Sequence, residues 1–63
     1  MKTLFLAESE KHVLDALCLM IEQQDGMTVV GVAHSVEAML AQVCRRAPDI
    51  ILLDWNLPGI HHQ

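Results

Sequence analysis

Positive charge is scarce in this chain. Four Lys and Arg residues stand against eight Asp and Glu, giving a net charge of −4 over 63 residues. The cations are split between the start of the chain and Arg45–Arg46. No basic stripe is available to a phosphate backbone, so direct contact with nucleic acid is not expected. Long apolar runs are missing as well. None approaches the roughly 20 residues that a membrane-spanning helix needs. The run from Leu4 to Ala7 is too short for the apolar core of a signal peptide, and Glu8 and Glu10 follow at once. A soluble, cytoplasmic setting is the expectation. Cysteine is limited to Cys18 and Cys44. Both fall on the apolar stripes of expected helices, which predicts free, buried thiols rather than a disulfide. Gly-rich phosphate loops, catalytic triads and zinc-ligand spacings are also absent, so an enzyme is not expected. No repeat, linker or low-complexity segment interrupts the chain.

What is present is globular in character: 52% of residues are hydrophobic and 19% charged. The length allows one small domain. A domain this small buries only about 60% of the surface its unfolded chain exposes. So apolar a chain of this size calls for a partner surface.

The hydrophobic pattern alternates between two periods. Thr3 to Ala7 is a short continuous apolar run that fits a strand buried on both faces. Ser9 is placed to cap a helix, with Glu10 in its first turn. Val13, Leu17, Met20 and Ile21 then recur at helical spacing, widened by Ala16 and Cys18. Gln23 to Gly26 ends that helix, Gly26 suiting a left-handed turn. Met27 to Ala33 is β-branched and apolar and reads as a second strand. Ser35 caps a second helix whose stripe is Val36, Met39, Leu40, Val43 and Cys44. Arg45 and Arg46 suit its last turn as a solvated helix end, and Pro48 forbids continuation. Asp49 to Asp54, "DIILLD", is the third strand. Met20 and Met39 read as core filler.

Strand, helix, strand, helix, strand with short connections means an α/β unit: a parallel sheet wound by right-handed crossovers. The first and third strands both finish in a carboxylate, Glu8 and Asp54. Sites in open α/β sheets form outside the carboxyl ends of the strands. If those two strands are neighbours, about 4.8 Å apart, their acids share one end of the sheet within reach of one small cation. His61–His62 reads as a frayed tail rather than a metal pair, and His12 and His34 as surface residues.

The stretches "TLFLAESE", "VVGVAHSVEAML" and "PDIILLDWNLPG" together resemble the first half of a response-regulator receiver domain, the phosphoacceptor module of two-component systems. The likeness spans essentially all 63 residues. Its most specific part is "PDIILLDWNLPG", similar to the family's acceptor strand and following turn. "VVGVAHSVEA" resembles the subfamily whose regulators carry a helix-turn-helix DNA-binding output.

The resemblance implies a flavodoxin-like fold with strand order 2-1-3 in a β-α-β-α-β chain, residues 1–63 forming a partial receiver domain. It implies that Asp54 is the phosphoacceptor for a histidine kinase. It also implies that Mg²⁺ is held by Glu8, Asp54 and the backbone carbonyl of Asn56. The sequence departs from the family at Ser9. A second carboxylate, the more direct metal ligand, is expected there, so Ser9 is a degenerate ligand position and Mg²⁺ binding should be weak. The family's switch hydroxyl and phosphate-binding lysine lie on a fourth and fifth strand. Neither Lys2 nor Lys11 matches that lysine. Trp55 places a large ring beside the acceptor. The third strand is expected to be an apolar edge that recruits other strands, so self-association through that edge or through the sheet faces follows. The competing reading is a binding or assembly module that keeps the receiver fold without the phosphorylation switch.

Overall fold

The computed structural model of the protein describes residues 1–60. The expectations for His61 and His62 lie outside the described residues. Five elements follow one another: β1 (Lys2–Ala7), α1 (Lys11–Glu22), β2 (Met27–Ala33), α2 (Val36–Arg46) and β3 (Ile50–Leu53). The strands are parallel and stand in the order β2-β1-β3, as the flavodoxin-like reading requires.

β1 is the central strand, and from Leu4 onward it carries no polar side chain. Leu4 to Ala7 are all buried, which only a strand covered on both faces allows. Its odd residues, Phe5 and Ala7, join Ala33, Met39 and Leu57 in one core cluster edged by Val36, Ala38, Val43 and Ile60. That cluster is the α2 face. Leu4 and Leu6 point to the other face, where α1 buries Leu14. The two right-handed crossovers run in opposite directions from β2's side of the sheet, and this places the helices on opposite faces.

The register slips once. Leu4 pairs with Val29 but Phe5 pairs with Gly31, leaving Val30 as an extra residue in β2. The slip brings Gly31 under the Phe5 ring. A Cβ on Gly31 would stand 2.6 Å from Phe5 Cε2, so the close approach of ring to backbone depends on a missing side chain.

The helix ends divide by chemistry. Ser35 caps α2: its Oγ accepts from Ala38 N–H at 3.2 Å, and Glu37 lies in the first turn with Arg45 and Arg46 in the last. Ala47 closes the helix in a left-handed conformation, φ 43°, because Pro48 disfavours a helical residue before it. At α1 the expected Ser9 cap is overturned. The N-cap is Glu10, without a side-chain cap bond, and the first turn holds no acid. The cause is the length of the turn out of β1. Ser9 is consumed in a bend, and helical backbone begins only at Lys11.

The expected stripes are corrected in the same way. α1 faces the sheet with Leu14, Leu17, Cys18 and Ile21, whereas Val13 and Met20 are exposed; Met20 is not core. On α2, Val36, Met39 and Val43 turn inward, but Leu40 and Cys44 are exposed. Both cysteines are free as expected, yet Cys44 is not buried. Cys18 is half-buried, and burial pushes its thiol up from the ordinary value. The displaced residues share a cause. On helices running antiparallel to the strands after right-handed crossovers, they lie on the side nearer β3. Neither helix contacts β3 appreciably, so apolar residues aimed that way stay in solvent.

The foot of the sheet is tied by side chains. Asp49 Oδ2 accepts from Thr3 N–H at 2.9 Å and from Thr3 Oγ1 at 3.1 Å, while Asp49 N–H donates to Thr3 Oγ1 at 3.0 Å. These bonds favour the charged carboxylate and hold Asp49 below its ordinary carboxyl value, the backbone bond from Thr3 leading. The folded-state value is lowered, so the contribution to stability is complete above the ordinary carboxyl range and is lost as pH falls through the lowered value. Replacing Asp49 by Asn should therefore flatten the acid limb of stability against pH. Urea melts of both proteins between neutral pH and pH 3 check this; parallel acid limbs would contradict the assignment.

Candidate functional site

The carboxyl end of the sheet gathers the residues singled out in the sequence. Glu8 continues β1 by one residue, its N–H donating to Ala33 O at 3.0 Å. Asp54 continues β3, its N–H donating to Ala7 O at 2.9 Å. Ala7 pairs with Leu53, so register sets Glu8 and Asp54 at neighbouring strand ends. Both are half-buried. The two carboxylates reach this shared end because β1 and β3 are adjacent and parallel. An antiparallel pair would have put the acids at opposite ends.

Each carboxylate steadies its own loop. Glu8 Oε2 accepts from Glu10 N–H at 3.0 Å, holding the turn into α1. Asp54 Oδ1 accepts from Asn56 N–H at 3.2 Å, and Asp54 O accepts from Leu57 N–H at 3.1 Å. The result is a tight turn after β3, of the kind Asp favours. Among the described residues, the second oxygens of both carboxylates make no hydrogen bond. Ser9 and Asn56 are exposed, and Trp55 is 68% exposed. Of the lysines, Lys2 lies at the opposite end of β1, and Lys11 pairs with Asp15 at 2.8 Å. The site is an open shelf, and no enclosed cavity forms among the described residues. Nor do three or more His, Cys, Asp or Glu residues converge there in a geometry able to hold a metal ion.

Two features of the site were not foreseen. Leu57 is buried, 2% exposed, and anchors the turn after Asp54 in the core under α2. Its signal was an apolar residue standing alone in a polar turn. His34, exposed at the end of β2, places Nδ1 at 3.1 Å from Glu8 O. A lone surface histidine carries no pattern that would have revealed this.

The turn is docked as well as anchored. Pro58 O accepts from Val36 N–H at 2.9 Å, so the loop satisfies one of the amides left open at the start of α2. Gly59 makes this docking possible. Its φ is 100°, and a Cβ there would stand 3.0 Å from Val36 Cβ.

The chain belongs to the response regulator receiver domain family, whose model matches residues 4–61. Two curated relatives come from Bacillus subtilis strain 168. The uncharacterized transcriptional regulatory protein YvfU is 33% identical over 55 residues, covering 87% of this chain and 28% of the relative. The transcriptional regulatory protein DesR is 32% identical over 59 residues, covering 94% of this chain and 30% of the relative. The chain thus spans under a third of the length of these relatives. No solved structure matches it at a comparable level. Family and fold agree with the resemblance read from "TLFLAESE" and "PDIILLDWNLPG". This is a receiver domain of the two-component response-regulator class.

Replacing Gly59 by Ala should loosen the acceptor turn. Left-handed backbone and contact with Val36 together cost about 1–3 kcal/mol. Chemical denaturation should show the loss, with faster hydrogen exchange at Val36 N–H; unchanged exchange there would show that the turn does not depend on this residue.

Proposed function

We propose that Asp54 is the phosphoacceptor of this domain and that a histidine kinase is its phosphoryl donor. The observation carrying this reading is the bond from Asp54 N–H to Ala7 O, which seats Asp54 beside Glu8 within the segment matched by the receiver family. A carboxylate oxygen attacks phosphorus, the P–N bond to the donor imidazole breaks, and an acyl phosphate forms. A carboxylate nucleophile has no proton to give up in the attack, so no general base is needed. In this reading the domain is a substrate of its kinase and not itself an enzyme.

Mg²⁺ fits the donor set modestly. Glu8, Asp54 and the Asn56 carbonyl offer only oxygen, the ligand type Mg²⁺ takes, and it is commonly held by one or two carboxylates with water completing its shell. When bound, it neutralises charge on the transferring group. Ser9 stands where a second carboxylate would add charge, and Glu8 already spends one oxygen on Glu10 N–H. Binding is accordingly weak.

The names of the relatives support a place in a transcriptional regulator; a helix-turn-helix output rests on the resemblance carried by "VVGVAHSVEA", and a cytoplasmic setting goes with that reading. No helix among the described residues is long and apolar enough to cross a membrane. A second reading keeps the receiver fold as a binding or assembly module without phosphorylation. It is favoured by Ser9 and by Glu8's engagement with its own loop.

Self-association belongs to either reading. Ile50 to Leu53 are 40–46% exposed along an open strand edge, and no charge, proline or bulge blunts that edge. Val13 and Met20 extend the apolar surface on the α1 side, and Leu40 and Cys44 extend it on the α2 side. A second copy pairing through β3 would cover the edge.

Three measurements test these readings. Incubated with Mg²⁺ and acetyl phosphate, the chain should gain one phosphoryl group by intact mass, and Asp54→Asn should gain none. Phosphorylation of that variant would remove Asp54 from the role. Ser9→Asp should tighten Mg²⁺ binding, followed through the fluorescence of Trp55; equal affinities would mean that residue 9 does not face the ion. Light scattering across a dilution series should show species larger than a monomer, and a cooperatively unfolding monomer at low micromolar concentration would end the assembly proposal.

A further inference from the structure

Glu8 is held from three directions, and only one of them belongs to the ordinary architecture of a parallel sheet. Its N–H donates to Ala33 O at 3.0 Å, as the next rung of the β1–β2 ladder would. Its carboxylate accepts from Glu10 N–H at 3.0 Å, closing the turn into α1. The third tie is a side chain: His34 Nδ1 lies 3.1 Å from Glu8 O. A carbonyl can only accept, so the ring nitrogen must carry the proton and donate. The consecutive residues Ala33 and His34 thus bracket the Glu8 peptide from β2, one through its backbone oxygen and one through its ring.

We propose that His34 is a positioning residue for the candidate site: its Nδ1–H fixes the Glu8 carbonyl, and through it the Glu8–Glu10 turn that carries the site's first carboxylate. The physical need is clear from the surroundings. Beyond Glu8 the chain has left the sheet, and Ser9 and Glu10 are exposed. The expected Ser9 cap does not form, and the Glu10 cap makes no side-chain bond. Without His34, the Glu8 carbonyl would face solvent, and the turn would hang on one backbone bond and one carboxylate bond. With it, Glu8 is tied on both sides of its α-carbon.

The geometry selects the residue type. In histidine Nδ1 is two bonds from Cβ. In asparagine the amide nitrogen is also two bonds from Cβ, so Asn can place a donor at the same point. Alanine has no donor, and the carboxylate of aspartate can only accept. His34→Asn is therefore the conservative variant and His34→Ala the disruptive one. Loss of one net hydrogen bond corresponds to roughly a two- to ten-fold change in a local opening equilibrium.

This inference rests on the proposed site reading for its consequence, but its geometry can be tested separately. Hydrogen exchange would be measured on the 63-residue protein at one fixed concentration, together with Mg²⁺ affinity by titration. In His34→Ala, the amides of Glu8 and Glu10 should exchange about two- to ten-fold faster, while those of Leu6 and Val32 keep wild-type rates. Mg²⁺ binding should weaken by a similar factor. His34→Asn should restore both. Wild-type exchange at Glu8 and Glu10 in the alanine variant would overturn the proposal, as would an asparagine variant that behaves like alanine. If no variant binds Mg²⁺, including wild type, the metal reading of the site falls, and the exchange rates alone still decide the role of His34.

Discussion

Everything in this molecule is referred to β1. Among the described residues it is the only strand hydrogen-bonded along both edges, and four consecutive side chains on it are buried, two toward each helix. Both cores are therefore the two faces of one short segment. The chemistry depends on the same segment. Ala7 O receives Asp54 N–H, and the residue after Ala7 is Glu8. A disturbance of β1 would reach the α1 face, the α2 face and the candidate site together.

The periphery contrasts with that centre. β3 is joined to the sheet by β1 alone, and its four apolar residues remain well exposed on both faces. Its foot is tied by Thr3 and Asp49 and its tip by the docked turn around Leu57. Between these ties the strand is held by its parallel ladder and little else. The fold fixes the position of Asp54 here, while leaving the strand that carries it with much of its apolar surface in solvent.

Strand and helix order, the parallel sheet and the Ser35 cap were legible in the sequence, since each depends on local pattern: apolar runs, turn residues, a capping hydroxyl. The placement of Glu8 and Asp54 at neighbouring strand ends was legible from the strand order, and the family from "TLFLAESE" and "PDIILLDWNLPG". The misreadings of the helix stripes involved which way a helix rolls. Val13, Met20, Leu40 and Cys44 satisfy helical periodicity as well as Leu14 or Val43 do. Only the placement of each helix over β2 and β1, away from β3, decides between them. Ser9 was misjudged through one residue of turn length. His34 to Glu8 O and Thr3 to Asp49 could not be foreseen, since they join residues 26 and 46 positions apart through single polar contacts.

The bond from Val36 N–H to Pro58 O has a kinetic meaning. Val36 is the first residue of α2, and its amide has no partner within its own helix. By lending that amide to the turn after Asp54, the fold joins the fraying end of a helix to the loop beyond β3. Opening either one exposes the other, so the two should unzip as one cooperative unit rather than independently.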